Sequence, residues 1–258
     1  MKITNNKKIY FASDNHLGAP DYKSSREREV IFVEWLDHVK KDAEALFLLG
    51  DIFDFWFEYK KVVPKGFVRI MGKLAEITDQ GVPVHYFVGN HDLWMYDYFQ
   101  KELGISVYQK PQDFKIENKD FYIGHGDGLG PRDKGFKRLK KFFTNPFLKF
   151  LFRWIHPDLG VRLGQYLSTK NKMISGKVDI DFLEEKEEWL VQYSRRKLIQ
   201  KHRDYFVFGH RHLPLEIKLT KNSTYFNLGD WITHYTYGVF DGKEFKIKKW
   251  GESFEEND

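Results

Sequence analysis

Five short apolar runs in this chain each end on a turn that carries histidine or acid. The turns read Ser13-Asp14-Asn15-His16, Gly50-Asp51-Ile52-Phe53-Asp54, Gly89-Asn90-His91-Asp92, Gly124-His125-Gly126-Asp127 and Gly209-His210-Arg211-His212. The runs before them, residues 9–12, 45–49, 82–88, 121–123 and 205–208, are of strand length, rich in branched and aromatic side chains and bounded by turn residues. One unit therefore recurs: a buried strand, a sharp turn, and a side chain of the kind that ligates metal. Binding sites in α/β sheets collect beyond the carboxyl ends of strands. Five such ends facing one crevice predict a polynuclear metal centre.

The segments between these runs set the architecture. Residues 24–41 place Val30, Val33, Trp35, Leu36 and Val39 at helical spacing, and 67–80 read the same way until Gly81-Val82-Pro83 starts the next strand. This β-α-β-α-β order predicts a layered α/β core. After His125 the pattern lapses. Residues 133–177 read as helices broken at Pro146 and Pro157, and 181–202 as a helix that opens with acids and closes with bases, as its dipole favours. Strand signals return at 215–220, 224–228, 236–240 and 245–250, with Asp241-Gly242 marking a hairpin. The 258 residues suit a single domain with an insertion at 131–178.

Composition removes several chemistries. The chain has no cysteine, which excludes disulfides, thiolate metal sites and a cysteine nucleophile. Its polar start, residues 1–8, does not read as a signal peptide, and no apolar stretch approaches the ~20 residues of a membrane span. A soluble or peripheral protein is expected. Net charge is +5, but residues 132–177 hold twelve Lys and Arg against two Asp, a local +10 that leaves −5 for the remainder. The whole basic excess sits in the insertion, and the tail at 252–258 is acidic.

The donors on offer are carboxylate, imidazole and one amide oxygen. This sulfur-free mixture suits two divalent ions, Mn2+ ahead of Fe, Zn, Co or Ni. Asp14, His16 and His212 are assigned to one metal, Asn90, His125 and His210 to a second, and Asp51 to the bridge between them. Bridged metals lie roughly 3.5–4 Å apart, the spacing that clamps both oxygens of an in-line phosphoryl displacement. Two divalent ions against two carboxylates leave the site positive, and a neutral Asn90 preserves that excess. His91 follows the ligand Asn90 and is expected to face the reacting phosphoryl group, stabilising charge or protonating the leaving group. Asp92 is expected to accept a hydrogen bond from His91 and fix its tautomer. Asp54 is a candidate to orient a ligand or to cap a turn, and Asp127 is similarly open. His38 and His202 read as helix-surface residues and His85 as a strand residue. His156 sits in a helix break and His234 in a loop near the last cluster.

The ordered set Asp-x-His, Gly-Asp-x-x-Asp, Gly-Asn-His-Asp, Gly-His and Gly-His-x-His resembles the calcineurin-like metallophosphoesterase superfamily over nearly the full length outside the insertion. The resemblance implies a four-layer α-β-β-α sandwich of two mixed sheets with helices outside. It also implies a dinuclear site that supplies an activated water as nucleophile.

The insertion bears on the substrate. Phe136, Leu139, Phe143, Phe147, Phe150, Leu151 and Trp154 recur at helical spacing, and Lys137, Arg138, Lys140, Lys141, Lys149 and Arg153 fill much of the rest. An aromatic face beside a basic face suits a helix lying on an anionic membrane. It suits equally a lid that holds acyl chains on one side and phosphate on the other, or a lid whose apolar side packs on the core. Gly50-Asp51-Ile52-Phe53-Asp54-Phe55-Trp56, His125-Gly126-Asp127-Gly128-Leu129 and Asn227-Leu228-Gly229-Asp230-Trp231 are similar to the UDP-2,3-diacylglucosamine pyrophosphohydrolase branch of lipid A synthesis. That resemblance implies cleavage to UMP and 2,3-diacylglucosamine 1-phosphate, a lipid-linked UDP-sugar as substrate, and a peripheral place on the cytoplasmic face of the inner membrane, with no nucleic-acid partner. It carries a sugar contact onto Asp133 and basic substrate contacts onto Lys170 and Lys172, while Arg211, between two ligands, is a further phosphate contact. Many members of the branch have Arg where this chain has His91, so other phosphoesters remain the alternative.

Overall fold

Among the described residues of the computed structural model, eleven strands pair into two sheets, and the alternation of side chains along each strand shows how the sheets stack. The structure describes residues 1–130, 141, 143–175 and 188–252, with 169–175 described by backbone alone. The expected sugar contact at Asp133, the acids at the start of the 181–202 helix and the tail from 253 fall outside the described residues, as do the side chains of Lys170 and Lys172.

The first sheet takes the order β11-β10-β1-β2-β3-β4. Strands β1 (Lys8–Ala12), β2 (Ala43–Leu48), β3 (Val84–Phe87) and β4 (Ser106–Tyr108) run parallel. The hairpin β10 (Thr236–Phe240) and β11 (Phe245–Lys249) adds antiparallel to β1. The second sheet runs β5-β6-β7-β9-β8. Here β6 (Lys119–Ile123), β7 (Tyr205–Phe208) and β9 (Ser223–Leu228) are parallel, flanked by antiparallel β5 (Gln112–Ile116) and β8 (Pro214–Thr220).

Side chains alternate faces along a strand. Ile9, Phe11, Ala45 and Phe47 of the first sheet meet Phe121, Ile123, Val207 and Phe226 of the second in one buried cluster. Tyr10, Ala12, Leu46 and Leu48 point the other way, onto Phe32, Trp35 and Leu36 of α1 (Tyr22–Val39) and Ile70, Leu74 and Ile77 of α2 (Val68–Asp79). On the outer face of the second sheet, Tyr122, Phe206 and Tyr225 cover Leu190 and Val191 at the start of the helix Trp189–Gln200. The layers are helix, sheet, sheet, helix, as expected.

A short helix α3 (Tyr98–Leu103) and strands β4 and β5 carry no marked sequence signal, and the sequence reading omits them. Strand β5 lies at a sheet edge and exposes Gln112, Asp113 and Lys115, so its composition is that of a solvated edge rather than a core strand. In the insertion, α4 (Pro146–Arg153) and α5 (Pro157–Ser175) each open on proline, whose missing N–H is harmless in a first turn. The helix Trp189–Gln200 is α6.

His85 of β3 is a core residue. Its ring stacks on Phe47 at 4.5 Å and its Nδ1 meets the Tyr108 hydroxyl at 3.1 Å. Burial lowers its imidazole to about 4. The folded state therefore keeps His85 neutral while the unfolded chain takes up a proton below its ordinary value near 6.5, so stability present above pH 6.5 is lost as pH falls toward 4. His85→Phe, which removes this linkage, is expected to retain about 2 kcal/mol more of its neutral-pH stability than the wild type at pH 5. Urea melts of both proteins at pH 7 and 5 measure this, and parallel losses would exclude His85 as the group responsible.

Candidate metal centre

The carboxyl ends of β1, β2, β3, β6, β7 and β9 all open toward the same crevice. The loop after β1 continues to pair with the loop after β2: the amides of Asp14, His16 and Leu17 donate to the carbonyls of Gly50, Asp51 and Ile52 at 3.1, 2.9 and 2.9 Å. This extra ladder lies beyond the sheet proper and holds two acid-bearing turns side by side.

The backbone there is strained. Asp14, His16, Asp51, His210 and His212 all have left-handed φ, between 46° and 71°. Such values cost of order 1–3 kcal/mol each in non-glycine residues and persist where the surroundings over-determine them. Close approach also constrains the glycines. A Cβ on Gly209 would stand 2.5 Å from Asp14 Oδ2, and one on Gly89 would run into the Asp51 carboxylate. The glycines before Asn90 and His210 leave room for the Asp51 and Asp14 carboxylates to enter the centre.

Two groups of donors converge. Asp14 Oδ1 lies 3.5 Å from His212 Nε2 and 3.9 Å from His16 Nε2, and the two imidazole nitrogens face each other at 3.3 Å. Beside them, His125 Nε2 lies 3.2 Å from Asn90 Oδ1, 3.2 Å from His210 Nδ1 and 3.3 Å from Asp51 Oδ2. Asp51 Oδ2 is also 3.8 Å from His16 Nε2, which sets it between the groups. Its other oxygen is held by the backbone amide of His91 at 2.8 Å. The structure thus brings all seven expected ligands together in the expected grouping. His91 also falls within ligating reach of His16 and Asp51.

The outer ring atoms fix the tautomers. His125 Nδ1 lies 2.7 Å from the Leu49 carbonyl, which can only accept, so Nδ1 carries the proton and Nε2 presents a lone pair inward. His16 Nδ1 meets Asp54 Oδ1 at 3.1 Å and His212 Nδ1 meets Asp230 Oδ2 at 3.2 Å, with the same consequence. Lone pairs of three imidazoles, two carboxylates and an amide oxygen are therefore aimed at one another. The buried Asp14 Oδ1 has no hydrogen-bond donor. Acceptors facing acceptors repel unless a cation stands between them, so the donor set fits a pair of divalent ions. The ionisation of the centre points the same way. Burial opposes charge on His125, yet the Asp51 carboxylate lifts its imidazole to about 10, while burial and the charge on His125 push His210 well down. The Asp51 carboxylate thus draws positive charge to its side.

Three expectations are refined or corrected. Asp54 is an orienting residue, since it holds His16. Asp92 does not hold His91: its carboxylate is fully buried and accepts from the amides of Gly89 and Ile52 and from the Tyr86 hydroxyl, at 2.7, 3.2 and 2.5 Å. Burial and Asp51 push Asp92 up to about 7, and its place is to brace the turns after β2 and β3. His91 Nδ1 instead meets the Asp54 carbonyl at 3.0 Å and Ser168 Oγ at 2.8 Å. Arg211, expected to face phosphate, is buried and forms a two-pronged pair with Glu188 at 3.0 and 2.8 Å, joining the turn after β7 to the entry of α6.

Two residues were missed. Asp230 repeats the strand–turn–donor unit a sixth time, after β9, and its second oxygen accepts three backbone amides at 2.8–3.2 Å. Ser168 comes from α5 and has no sequence signal. Asp127 is buried beside His125, on the wall of a cavity of about 580 Å³ whose apolar lining includes Tyr108, Tyr122, Leu129 and Tyr193.

The fold and this donor set define a metal-dependent phosphoesterase, and residues 7–214 match the family model of the calcineurin-like phosphoesterases; the chain belongs to that family. A relative from Porphyromonas gingivalis, named UDP-2,3-diacylglucosamine hydrolase, is 35% identical over 247 residues, covering 91% of this chain and 94% of that protein. A protein of the same name from Vibrio parahaemolyticus is 29% identical over 86% of this chain and 90% of its own length. A solved phosphoesterase from E. coli, YfcE, superposes with a TM-score of 0.47 at 17% identity, over 94% of this chain and 92% of that one.

Carboxylates that orient metal-bound imidazoles typically change metal affinity by roughly 10–100-fold when neutralised. Asp54→Asn and Asp230→Asn are each expected to weaken divalent binding within that range while the thermal melt of the metal-free protein stays near wild type. Calorimetric titration with Mn2+ measures it; unchanged affinity in both variants would contradict the assigned tautomers.

Proposed function

We propose that this protein hydrolyses the pyrophosphate of UDP-2,3-diacylglucosamine, releasing UMP and 2,3-diacylglucosamine 1-phosphate. The observation that carries the reaction class is the double cluster of inward-facing lone pairs around Asp51. What carries the substrate is near full-length similarity to relatives of that name, together with the outward-facing Phe147, Phe150 and Trp154 of the insertion.

Bound divalent ions, Mn2+ foremost, supply Lewis acidity and acidify a water at neutral pH. The chain provides the rest. Asp14, His16 and His212 would hold one ion, Asn90, His125 and His210 the other, and Asp51 would serve both. With only two carboxylates and a neutral Asn90, the loaded centre would stay cationic and attract the pyrophosphate. Asp14, His16, Asp51 and His125 are buried, whereas Asn90, His91, His210 and His212 are half-buried, so substrate enters on the latter side. His91 donates from Nδ1 to the Asp54 carbonyl, which leaves Nε2 for a phosphoryl oxygen. There it stabilises developing charge or, doubly protonated, gives a proton to the departing 1-phosphate. Attack falls on the phosphorus of the UMP half.

The insertion, residues 131–178, serves as a lid of this single domain. Phe152 packs on Phe57 and Trp94, at 4.7 and 6.2 Å, and Lys149 and Arg153 lie over the Tyr96 ring. Phe147, Phe150, Trp154, Leu159 and Tyr166 remain 55–77% exposed. This outward apolar face supports acyl-chain capture and residence on an anionic membrane, the cytoplasmic face of the inner membrane, rather than packing on the core. Among the described residues no helix is long and apolar enough to cross a membrane. Asp133, Lys170 and Lys172 are proposed to contact the glucosamine and its phosphates.

Purified protein loaded with Mn2+ is expected to release UMP from UDP-2,3-diacylglucosamine. Asp51→Asn should lower kcat by about 10²–10³-fold or more. Phe147→Ala combined with Trp154→Ala should raise KM for the diacyl substrate about tenfold and leave turnover of a water-soluble phosphodiester unchanged. Wild-type kinetics in both variants on the diacyl substrate would refute the reading.

A further inference from the structure

Helix α5 reaches the centre through one short side chain. Ser168 is buried, with 9% exposure, and its hydroxyl donates to Asp54 Oδ2 at 2.7 Å while its oxygen, 2.8 Å from His91 Nδ1, shares that nitrogen's proton with the Asp54 carbonyl. Asp54 holds His16 with its other oxygen. A single hydroxyl on the insertion thus ties together an orienting carboxylate, the ligand it orients, and the imidazole that faces the substrate.

The approach that permits this is written in the helix. Gly160, Gly164 and Ser168 recur every fourth residue and share one face of α5, all buried. A Cβ on Gly160 would strike the Tyr59 hydroxyl, and one on Gly164 the Phe55 ring. Only glycine lets the helix lie so close to the segment after β2, and only that closeness brings a serine within reach of Asp54. Among the described side chains of the helix, Leu159, Leu163, Tyr166 and Leu167 are 38–60% exposed and bury little apolar surface. Elements with little buried apolar surface open at low cost.

We propose that Ser168 is a positioning residue that makes the alignment of His91 and Asp54 depend on the seating of α5. When the helix lifts to admit substrate, the clamp on both residues opens, and reseating restores it. This rests on the roles given above to His91 and Asp54.

Ser168→Ala is expected to lower kcat about tenfold on both UDP-2,3-diacylglucosamine and bis(p-nitrophenyl) phosphate with KM within about twofold, and to weaken Mn2+ binding a few-fold by calorimetry, while Ser168→Thr stays within about threefold of wild type in all three. On a His91→Ala, Asp54→Asn background, Ser168→Ala should cost nothing further, because the groups act as one unit. Loss of kcat confined to the lipid substrate, a change in KM alone, or an alanine defect that threonine does not rescue would overturn the proposal. Failure of the wild type on UDP-2,3-diacylglucosamine, with the Ser168 pattern intact on bis(p-nitrophenyl) phosphate, would remove the substrate assignment and leave the positioning role standing.

Discussion

Mutual repulsion among buried lone pairs is the constraint around which this molecule is organised. Imidazole nitrogens of His16, His125 and His212, with oxygens of Asp14, Asp51 and Asn90, are turned toward one another at 3.2–3.9 Å. The Nδ1 protons of the three histidines are committed outward to Asp54, Leu49 and Asp230, so the inward Nε2 atoms need either further protons, as the raised His125 imidazole shows, or cations. Divalent ions among the donors meet that need for all of them at once. The sandwich is what makes the cluster tolerable. Two sheets buried against each other supply rigid strand ends, and the left-handed turns that follow are held by ladder bonds running past the sheet edge.

The insertion meets a second physical need of the proposed reaction, in which acyl chains require apolar surface close to a charged, wet centre. Among the described residues of the insertion, Phe147, Phe150, Trp154, Leu159 and Tyr166 stay exposed, while Phe152, Gly160, Gly164 and Ser168 meet the core. Lys149 and Arg153 add a cationic side near Tyr96, in keeping with an anionic partner.

Much of this was legible in the chain before any coordinates. The strand–turn–donor unit repeats locally, so its five occurrences could be counted, and the grouping of the donors followed from ligand chemistry. What escaped has a common cause. Asp230 belongs to the same unit but carries no histidine. Ser168 acts through helix placement, and a serine in an amphipathic helix has no distinctive pattern. The hydrogen-bond partners of Asp92 and Arg211 were not legible because adjacency along the chain says little about direction at a sharp turn: Asp92 braces backbone amides, and Arg211 pairs with Glu188. Strands β4 and β5 are short or edge-exposed, so their residues obey solvent rather than the core.

The measurement that bears most directly on this account is anomalous diffraction from crystals grown with Mn2+. Two peaks are predicted roughly 3.5–4 Å apart, one among Asp14, His16 and His212 and one among Asn90, His125 and His210, with Asp51 between them. A centre free of anomalous density at saturating Mn2+, with its histidines turned away from one another, would contradict it.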